Sequence, residues 1–184
     1  ELIAVAAVRP DSVDRIPVGA GMTVVVVDRP ASPGNLGTLI RSCDGFGVSG
    51  VIVTGHGVDI YDPATIRASV GSFFVVPCVA LPSHREVETW VGDVRRVHPR
   101  LTLVGTSARA SVALREFTWP REVVIVIGNE TGGLSHAYRE MCDALVSIPM
   151  HGTATSLNAA VATSIVVYDR DAARQSEGEP SATG

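Results

Sequence analysis

Residues 22–41 read MTVVVVDRPASPGNLGTLIR, and this stretch gives the clearest indication of the fold class. Their first part, from Met22 to Asp28, is a β-branched apolar run of the kind that forms a buried strand. A turn with prolines and a glycine follows, and a helix is predicted from about Asn35 to Phe46. One face of that helix is apolar at positions i, i+3, i+4 and i+7, which are Leu36, Leu39, Ile40 and Cys43.

The same alternation of apolar strands and helices continues along the chain. Further strands are predicted at residues 51–54, 73–79, 101–105, 123–127 and 144–149, and further helices at 63–69, 83–97, 134–143 and 156–172. We therefore predict a three-layer α/β domain with a mostly parallel sheet over residues 22–172. Residues 1–21 are predicted to be an irregular lead-in, the remnant of a missing N-terminal substrate-binding region, and residues 173–184 a mobile tail.

Composition excludes several classes of function. The chain has 184 residues, 46% of them hydrophobic, and its apolar runs are too short to span a bilayer. Every basic side chain is arginine, which excludes a Walker A loop and a catalytic lysine. The net charge of −4 does not by itself indicate nucleic-acid binding. The three cysteines are widely spaced, so we predict reduced core thiols in a cytoplasmic protein and no metal site.

The chain has three asparagines, and each lies at a predicted strand-to-helix junction: Asn35, Asn129 and Asn158. Ligands on parallel α/β sheets bind beyond the carboxyl ends of the strands. These junctions are therefore predicted to hold a polar ligand through amide and backbone groups.

In the first junction, Arg41 shares a helical stripe with Gly37 and Gly34. Glycines beside an arginine predict a surface left open to a ligand, with Asn35 at the helix N-terminus. The alternative is a plain helix cap and a solvated arginine.

In the second junction, Gly128, Gly132 and Gly133 flank Asn129 and Glu130. Glycines let the backbone approach a bound group, and the pattern is not the GxGxxG of dinucleotide sites. The alternative for Glu130 is a carboxylate favoured by the dipole of a helix N-terminus.

In the third junction, Ser156 is predicted to cap the last helix and Asn158 to lie in its first turn. The alternative is an ordinary capped helix. His151 is a lone histidine in the preceding loop, and we predict a surface position for it.

Taken together, in this order and at these separations, the three junctions resemble the three motifs of the SpoU (TrmH-type) branch of the SPOUT RNA methyltransferases. The resemblance runs from about Met22 to Tyr168, and residues 67–72 also resemble a recurrent family segment near the RNA face. It implies the SPOUT fold, whose C-terminal part is threaded into a deep trefoil knot, and a homodimer with the site near the interface. The implied cofactor is S-adenosylmethionine, and the implied product is a 2′-O-methyl ribose in tRNA or rRNA.

The resemblance also implies roles for individual residues. The reaction site would contain Asn35, Arg41, Glu130, Ser156 and Asn158. The cofactor pocket would contain Thr106, Ser107, Gly128, Ile148, Met150 and Leu157. RNA would contact Arg41, Arg67, Ser69 and Arg109, with Arg29 as a further candidate. Because a guanidinium rarely gives up its proton, Arg41 is expected to orient a phosphate and stabilise the developing alkoxide, held in place by Asn35 and Glu130.

Two other functions remain open at this point. One is a catalytically inactive RNA- or cofactor-binding member of the same fold. The other is a Rossmann-type nucleotide-binding enzyme, for which the chain lacks the fingerprint. RNA would be recruited either by an upstream domain or by the local arginines.

Overall fold

β-branched residues form two buried neighbouring strands, at Thr23–Asp28 and Val123–Ile127, as predicted. The computed structural model describes Val5 and residues 7–176. Within this part the strands are β1 Thr23–Asp28, β2 Gly50–Thr54, β3 Cys78–Leu81, β4 Thr102–Thr106, β5 Val112–Ala113, β6 Val123–Ile127 and β7 Ala144–Ser147. The helices are α1 Pro33–Gly45, α2 Pro63–Ala68, α3 His84–Val97, α4 His136–Met141 and α5 Ala159–Ser176. Short 3-10 helices lie at Val13–Arg15, Ser72–Phe74 and Leu114–Glu116.

The seven strands form one sheet in the order β3-β2-β1-β6-β4-β7-β5, and every pair is parallel. The predicted parallel sheet is therefore confirmed. Strand β6 lies between β1 and β4, with Val25 opposite Ile125, and β7 lies between β4 and β5. The carboxyl ends of β1, β6, β4 and β7 are thus adjacent, and the loops that leave them lie at one edge. The trefoil knot stays a prediction.

The sheet is covered on both faces, which confirms the three layers. Because successive side chains in a strand point to opposite faces, β1 contributes to two separate cores. Val25 and Val27 pack in the core that contains residues of α1 and α5. Val24 and Val26 pack in the core that contains residues of α3 and α4.

The predicted strand at residues 73–79 is wrong. Gly71 has a φ of 97° and precedes the 3-10 helix at Ser72–Phe74, and the strand begins only at Cys78. Phe73 and Val76 pack in or against the core. The apolar run therefore reflects burial of an irregular segment and not a strand. The two-residue strand β5 was not predicted, because it is too short to show a pattern.

Three helices also differ from prediction at their ends. Helix α1 begins at Pro33 and is capped by Ser32, whose hydroxyl accepts from the N–H of Asn35. Helix α4 is shorter than predicted, and its N-cap Ser135 makes no side-chain cap hydrogen bond. Helix α5 begins at Ala159 and runs to Ser176, so residues 173–176 of the predicted tail are helical. The rest of that tail, 177–184, and residues 1–4 and 6 of the predicted lead-in lie outside the described residues.

None of the helices in the described part of the chain combines the length and apolar character needed to cross a lipid bilayer.

Candidate active site

One chain of hydrogen bonds joins the three asparagine junctions predicted from the sequence. The side-chain amide of Asn35 donates to Glu130 Oε1 over 3.1 Å. The amide of Asn158 donates to Asn35 Oδ1 over 2.9 Å. These residues are 95 and 123 positions apart in the chain. The junctions after β1, after β6 and before α5 therefore meet at one edge of the sheet.

Glu130 holds two parts of the first junction. Its Oε2 accepts from the backbone N–H of Ala31 over 3.1 Å, while Oε1 accepts from Asn35. A carboxylate with both oxygens used in this way has a fixed orientation, because each hydrogen bond restricts a different oxygen. Glu130 thus ties its loop to the N-terminal turn of α1.

Asn158 is the cap of α5, a role that the sequence assigned to Ser156. Its Oδ1 accepts from the N–H groups of Ala160 and Val161, over 2.8 and 3.4 Å. Its own carbonyl accepts from Ala162 over 2.9 Å. Because the cap uses only Oδ1, the side-chain nitrogen of Asn158 is available to donate to Asn35. Ser156 is exposed and has no hydrogen-bond partner within the described residues.

The loop after β6 is held by Asn129 and by close backbone contacts. Asn129 Oδ1 accepts from the N–H groups of Thr131 and Gly132, and its amide donates to the carbonyl of Arg29 over 2.6 Å. A Cβ on Gly128 would lie 2.2 Å from Leu134 N. Glycine is therefore required at 128 by the loop's own backbone, before any ligand is considered.

Arg41 lies apart from the hydrogen-bonded chain. It is exposed, and among the described residues it makes no ion pair or hydrogen bond. The expectation that Asn35 and Glu130 hold Arg41 is not met, because these two bond to each other. Arg41 follows Asn35 by about 9 Å along α1, from the rise of about 1.5 Å per residue.

Gly37 does not open a ligand surface beside Arg41, as the sequence suggested. A Cβ at this position would lie 2.3 Å from the carbonyl oxygen of Thr65 and 2.6 Å from the Cβ of Ala68. Gly37 therefore permits the close packing of α1 on α2. Gly34, the other glycine of this stripe, is exposed, and a Cβ there would meet only Ser32 Oγ, at 3.9 Å.

The predicted cofactor residues lie near the ends of three neighbouring strands, β4, β6 and β7, except for Leu157, which lies just before α5. The hydroxyl of Thr106 donates to the Val126 carbonyl over 3.3 Å, and the N–H of Ser107 donates to the Val146 carbonyl over 2.9 Å. The remaining members are partly exposed, namely Gly128, Ile148, Met150 and Leu157. Within the described chain, the N–H groups of Met150 and Leu157 have no acceptor.

The predicted RNA contacts divide into exposed and buried residues. Arg67 and Arg109 are exposed. Ser69 is fully buried, and its hydroxyl donates to the Ile66 carbonyl over 2.7 Å. The structure therefore does not support an RNA contact at Ser69, which stabilises the turn after α2. His151 is exposed, as predicted.

Sequence reasoning missed the group at the end of β1. Asp28 is 3% exposed, and its Oδ2 accepts from the N–H of Ser135 over 2.9 Å. Arg29 donates to both carboxylate oxygens of Asp28, over 3.0 and 3.2 Å. An aspartate that ends a buried strand was the available signal, because an acidic group is seldom buried without partners.

Further titratable groups lie outside the hydrogen-bonded chain of Glu130, Asn35 and Asn158. No cluster of histidine, cysteine and acidic residues in the described chain could hold a metal ion. The three thiols are free, and burial raises the pKa of Cys78 and of Cys142 to about 12. A cavity of about 970 Å³ opens near the amino ends of β4 and β6, and none of the predicted site residues lines it.

Comparison with known proteins agrees with this geometry. The model of the SpoU rRNA Methylase family matches residues 22–168. The 23S rRNA (uridine(2479)-2′-O)-methyltransferase of Streptomyces viridochromogenes is 46% identical over 169 residues, which are 92% of this chain and 59% of that protein. The 23S rRNA (guanosine(2553)-2′-O)-methyltransferase RlmP of Bacillus subtilis is 31% identical over 145 residues, 79% of this chain and 56% of that protein.

Among solved structures, the SpoU methyltransferase AviRb from Streptomyces viridochromogenes in complex with AdoMet has a TM-score of 0.88 and 45% identity. The match covers 91% of this chain and 63% of that one. The chain therefore spans somewhat over half the length of the relatives it matches. Since the family model covers most of the chain, and its three junctions meet at one site, the chain belongs to the SpoU rRNA methylase family.

Proposed function

We propose that the chain is an S-adenosylmethionine-dependent methyltransferase that modifies a ribose 2′-hydroxyl of tRNA or rRNA. The observation that carries the proposal is the hydrogen-bonded chain from Glu130 through Asn35 to Asn158. The names of the relatives, both 23S rRNA 2′-O-methyltransferases, support the reaction class. The AdoMet complex of AviRb supports the cofactor.

The residues at the ends of β4, β6 and β7 suit S-adenosylmethionine, which supplies a methyl group already activated by a positive sulfur. Ile148, Met150 and Leu157 offer partly exposed apolar side chains for an adenine ring. The N–H groups of Met150 and Leu157, without acceptors in the described chain, can donate to polar atoms of the ligand. Thr106, Ser107 and Gly128 would border the same pocket.

The protein's part in this reaction is alignment and charge stabilisation. Asn35 is fixed from both sides, since its oxygen accepts from Asn158 and its nitrogen donates to Glu130. The Asn35 amide cannot rotate without breaking both hydrogen bonds. It can therefore restrict the position of a ribose bound beside it. The exposed guanidinium of Arg41 would orient the phosphate next to the target ribose and stabilise the developing negative charge on its 2′-oxygen.

A homodimer is part of the proposal. Val161 and Tyr168 are 49% and 60% exposed, and their spacing of seven residues places them on one stripe of α5. This stripe adjoins α1, because Ser42 on α1 and Ser164 on α5 share a hydrogen bond of 2.6 Å. A second copy that covered the stripe would lie beside Arg41. Sedimentation of Tyr168→Asp should show a shift toward monomer.

RNA recognition in this proposal uses the exposed arginines, which are Arg41, Arg67 and Arg109. Because the net charge is −4, binding should depend on these local contacts, and its affinity should fall steeply with salt. The three free thiols suit the cytoplasm, where such an enzyme would meet its RNA.

Two measurements test the function. Calorimetry with S-adenosylmethionine should show binding, and labelled cofactor should transfer its methyl group to total RNA. Arg41→Ala should keep cofactor binding and lose transfer, whereas Arg96→Ala, a control on the exposed side of α3, should keep both. Full transfer by Arg41→Ala would refute its role. Cofactor binding without transfer by the wild type would favour the inactive alternative.

A further inference from the structure

A group at the end of β1 is hydrogen-bonded to the loop that carries Glu130. The group lies where β1 ends and consists of Asp28 and Arg29. Both carboxylate oxygens of Asp28 accept from Arg29, and Oδ2 also accepts from the N–H of Ser135. A carboxylate that is 3% exposed and has three donors is fully paired.

Arg29 adopts a backbone conformation that is unusual for its residue type. Its φ is 51°, in the left-handed region that favours glycine. The neighbouring Gly55 leaves room for its side chain, since a Cβ there would lie 2.7 Å from Arg29 Cγ. In this conformation the Arg29 N–H donates to the Thr54 carbonyl over 2.9 Å, and the Arg29 carbonyl accepts from Asn129 over 2.6 Å.

These contacts hold the 128–135 loop at both ends. Asn129, near its start, is bonded to the Arg29 carbonyl. Ser135, at its end, is bonded to Asp28. Glu130 lies between the two attachments, and its carboxylate reaches Asn35 and Ala31. The position of Glu130 therefore depends on the end of β1 as well as on its own hydrogen bonds.

We propose that Asp28, acting through Arg29 and Ser135, is the positioning residue that sets Glu130 against Asn35. The proposal rests on the proposed function for its kinetic consequence, but its structural consequence can be measured without any substrate. Asp28 forms no hydrogen bond with the predicted reaction-site residues in the described chain, so its effect passes through Arg29 and Ser135.

The chain offers a control for the loss of a paired carboxylate at Asp143, whose side chain is 42% exposed. Asp143 also accepts from a backbone N–H, that of Leu103, and from an arginine, Arg95. It precedes β7 and lies at the opposite end of the sheet from Glu130. Asp143→Asn removes the same kind of ion pair without touching the 128–135 loop.

The experiment compares Asp28→Asn with Asp143→Asn in the full chain. Asn keeps the shape of the side chain but removes its charge and places an amide against the guanidinium. In Asp28→Asn we expect the amide protons of Thr131, Gly132 and Ser135 to exchange about tenfold faster, because their anchor is weakened. We expect kcat to fall about tenfold to a hundredfold, with a smaller change in KM for RNA.

Asn129→Asp tests the other end of the loop and replaces Asp28→Asn should that variant not fold. It keeps the acceptor for Thr131 and Gly132 but removes the donor to the Arg29 carbonyl. Faster loop exchange in this variant supports the proposal. Unchanged exchange and kcat in the Asp28 or Asn129 variant, or equal kinetic losses in Asp143→Asn, would overturn it. Absence of transfer by the wild type would refute the proposed function alone, since the exchange data still test the loop.

Discussion

The close packing of α1 on α2 requires a residue without a Cβ at position 37. A Cβ at this position would meet three atoms that cannot rotate away, at 2.3, 2.6 and 2.9 Å: Thr65 O, Ala68 Cβ and Ser69 N. Ordinary van der Waals contact begins near 3.4 Å, so α2 would have to move away by about 1 Å. Gly37→Ala should therefore destabilise the fold, although alanine is the better helix former by about 1 kcal/mol.

The expected net loss in the free energy of unfolding is about 1–3 kcal/mol, the usual cost of overpacking a rigid site. For a chain of this size, that loss lowers the melting temperature by about 2–12 °C. Gly34→Ala is the control, since it lies one turn earlier on the same helix and its Cβ would meet only Ser32 Oγ, at 3.9 Å. It should leave the melting temperature equal or slightly higher.

Thermal unfolding followed by circular dichroism measures both variants, together with cofactor binding below the transition. A Gly37→Ala variant that melts as high as Gly34→Ala would refute the packing argument. Loss of binding with an unchanged melting temperature would instead restore the idea that Gly37 keeps a surface open for a ligand.

The remaining predictions concern Asn158, which caps α5, and the buried thiol of Cys78. Asn158→Ala should lower the free energy of unfolding by about 1–2 kcal/mol, through loss of the α5 cap. Asn158→Asp keeps the capping oxygen but removes the donor to Asn35, so it should lose methyl transfer with a smaller drop in melting temperature. Burial raises the pKa of the Cys78 thiol to about 12, well above the value of about 8.5 expected in the unfolded chain. The thiol of Cys78 therefore gives its full stabilisation of the fold below about pH 8.5. As the pH rises toward 12 this stabilisation is lost, and the free energy of unfolding falls by up to about 1.4 kcal/mol per pH unit. In chemical denaturation from pH 8 to 11, the free energy of unfolding should decline less steeply with pH for Cys78→Ala than for the wild type. Equal slopes would contradict the raised pKa of Cys78.

Several parts of the fold could be predicted because the residues that cause them are close in the chain. Runs of β-branched residues indicated β1 and β6 as buried strands, and the structure confirms both. The periodic leucines of α1 indicated its buried face correctly. Predictions failed where an apolar run was buried without being a strand, as at residues 73–79, and where two nearby polar residues could cap one helix, as at α5, which Asn158 caps in place of Ser156.

In the candidate site, too, features set by neighbouring residues were predictable and features set by distant contacts were not. Sequence patterns were enough to show which junctions contain polar and glycine residues, because strand and helix patterns place these residues at strand ends. The folded structure was needed to show that Asn35 bonds to Glu130 and Asn158, that Ser69 is buried, and that Asp28 accepts a hydrogen bond from Ser135. The hydrogen bonds of Glu130 and Asp28 depend on strand order, which brings β6 beside β1 although about a hundred residues separate them. Local preferences cannot specify such a neighbour, since the free energy that selects it comes from burying both faces of the completed sheet.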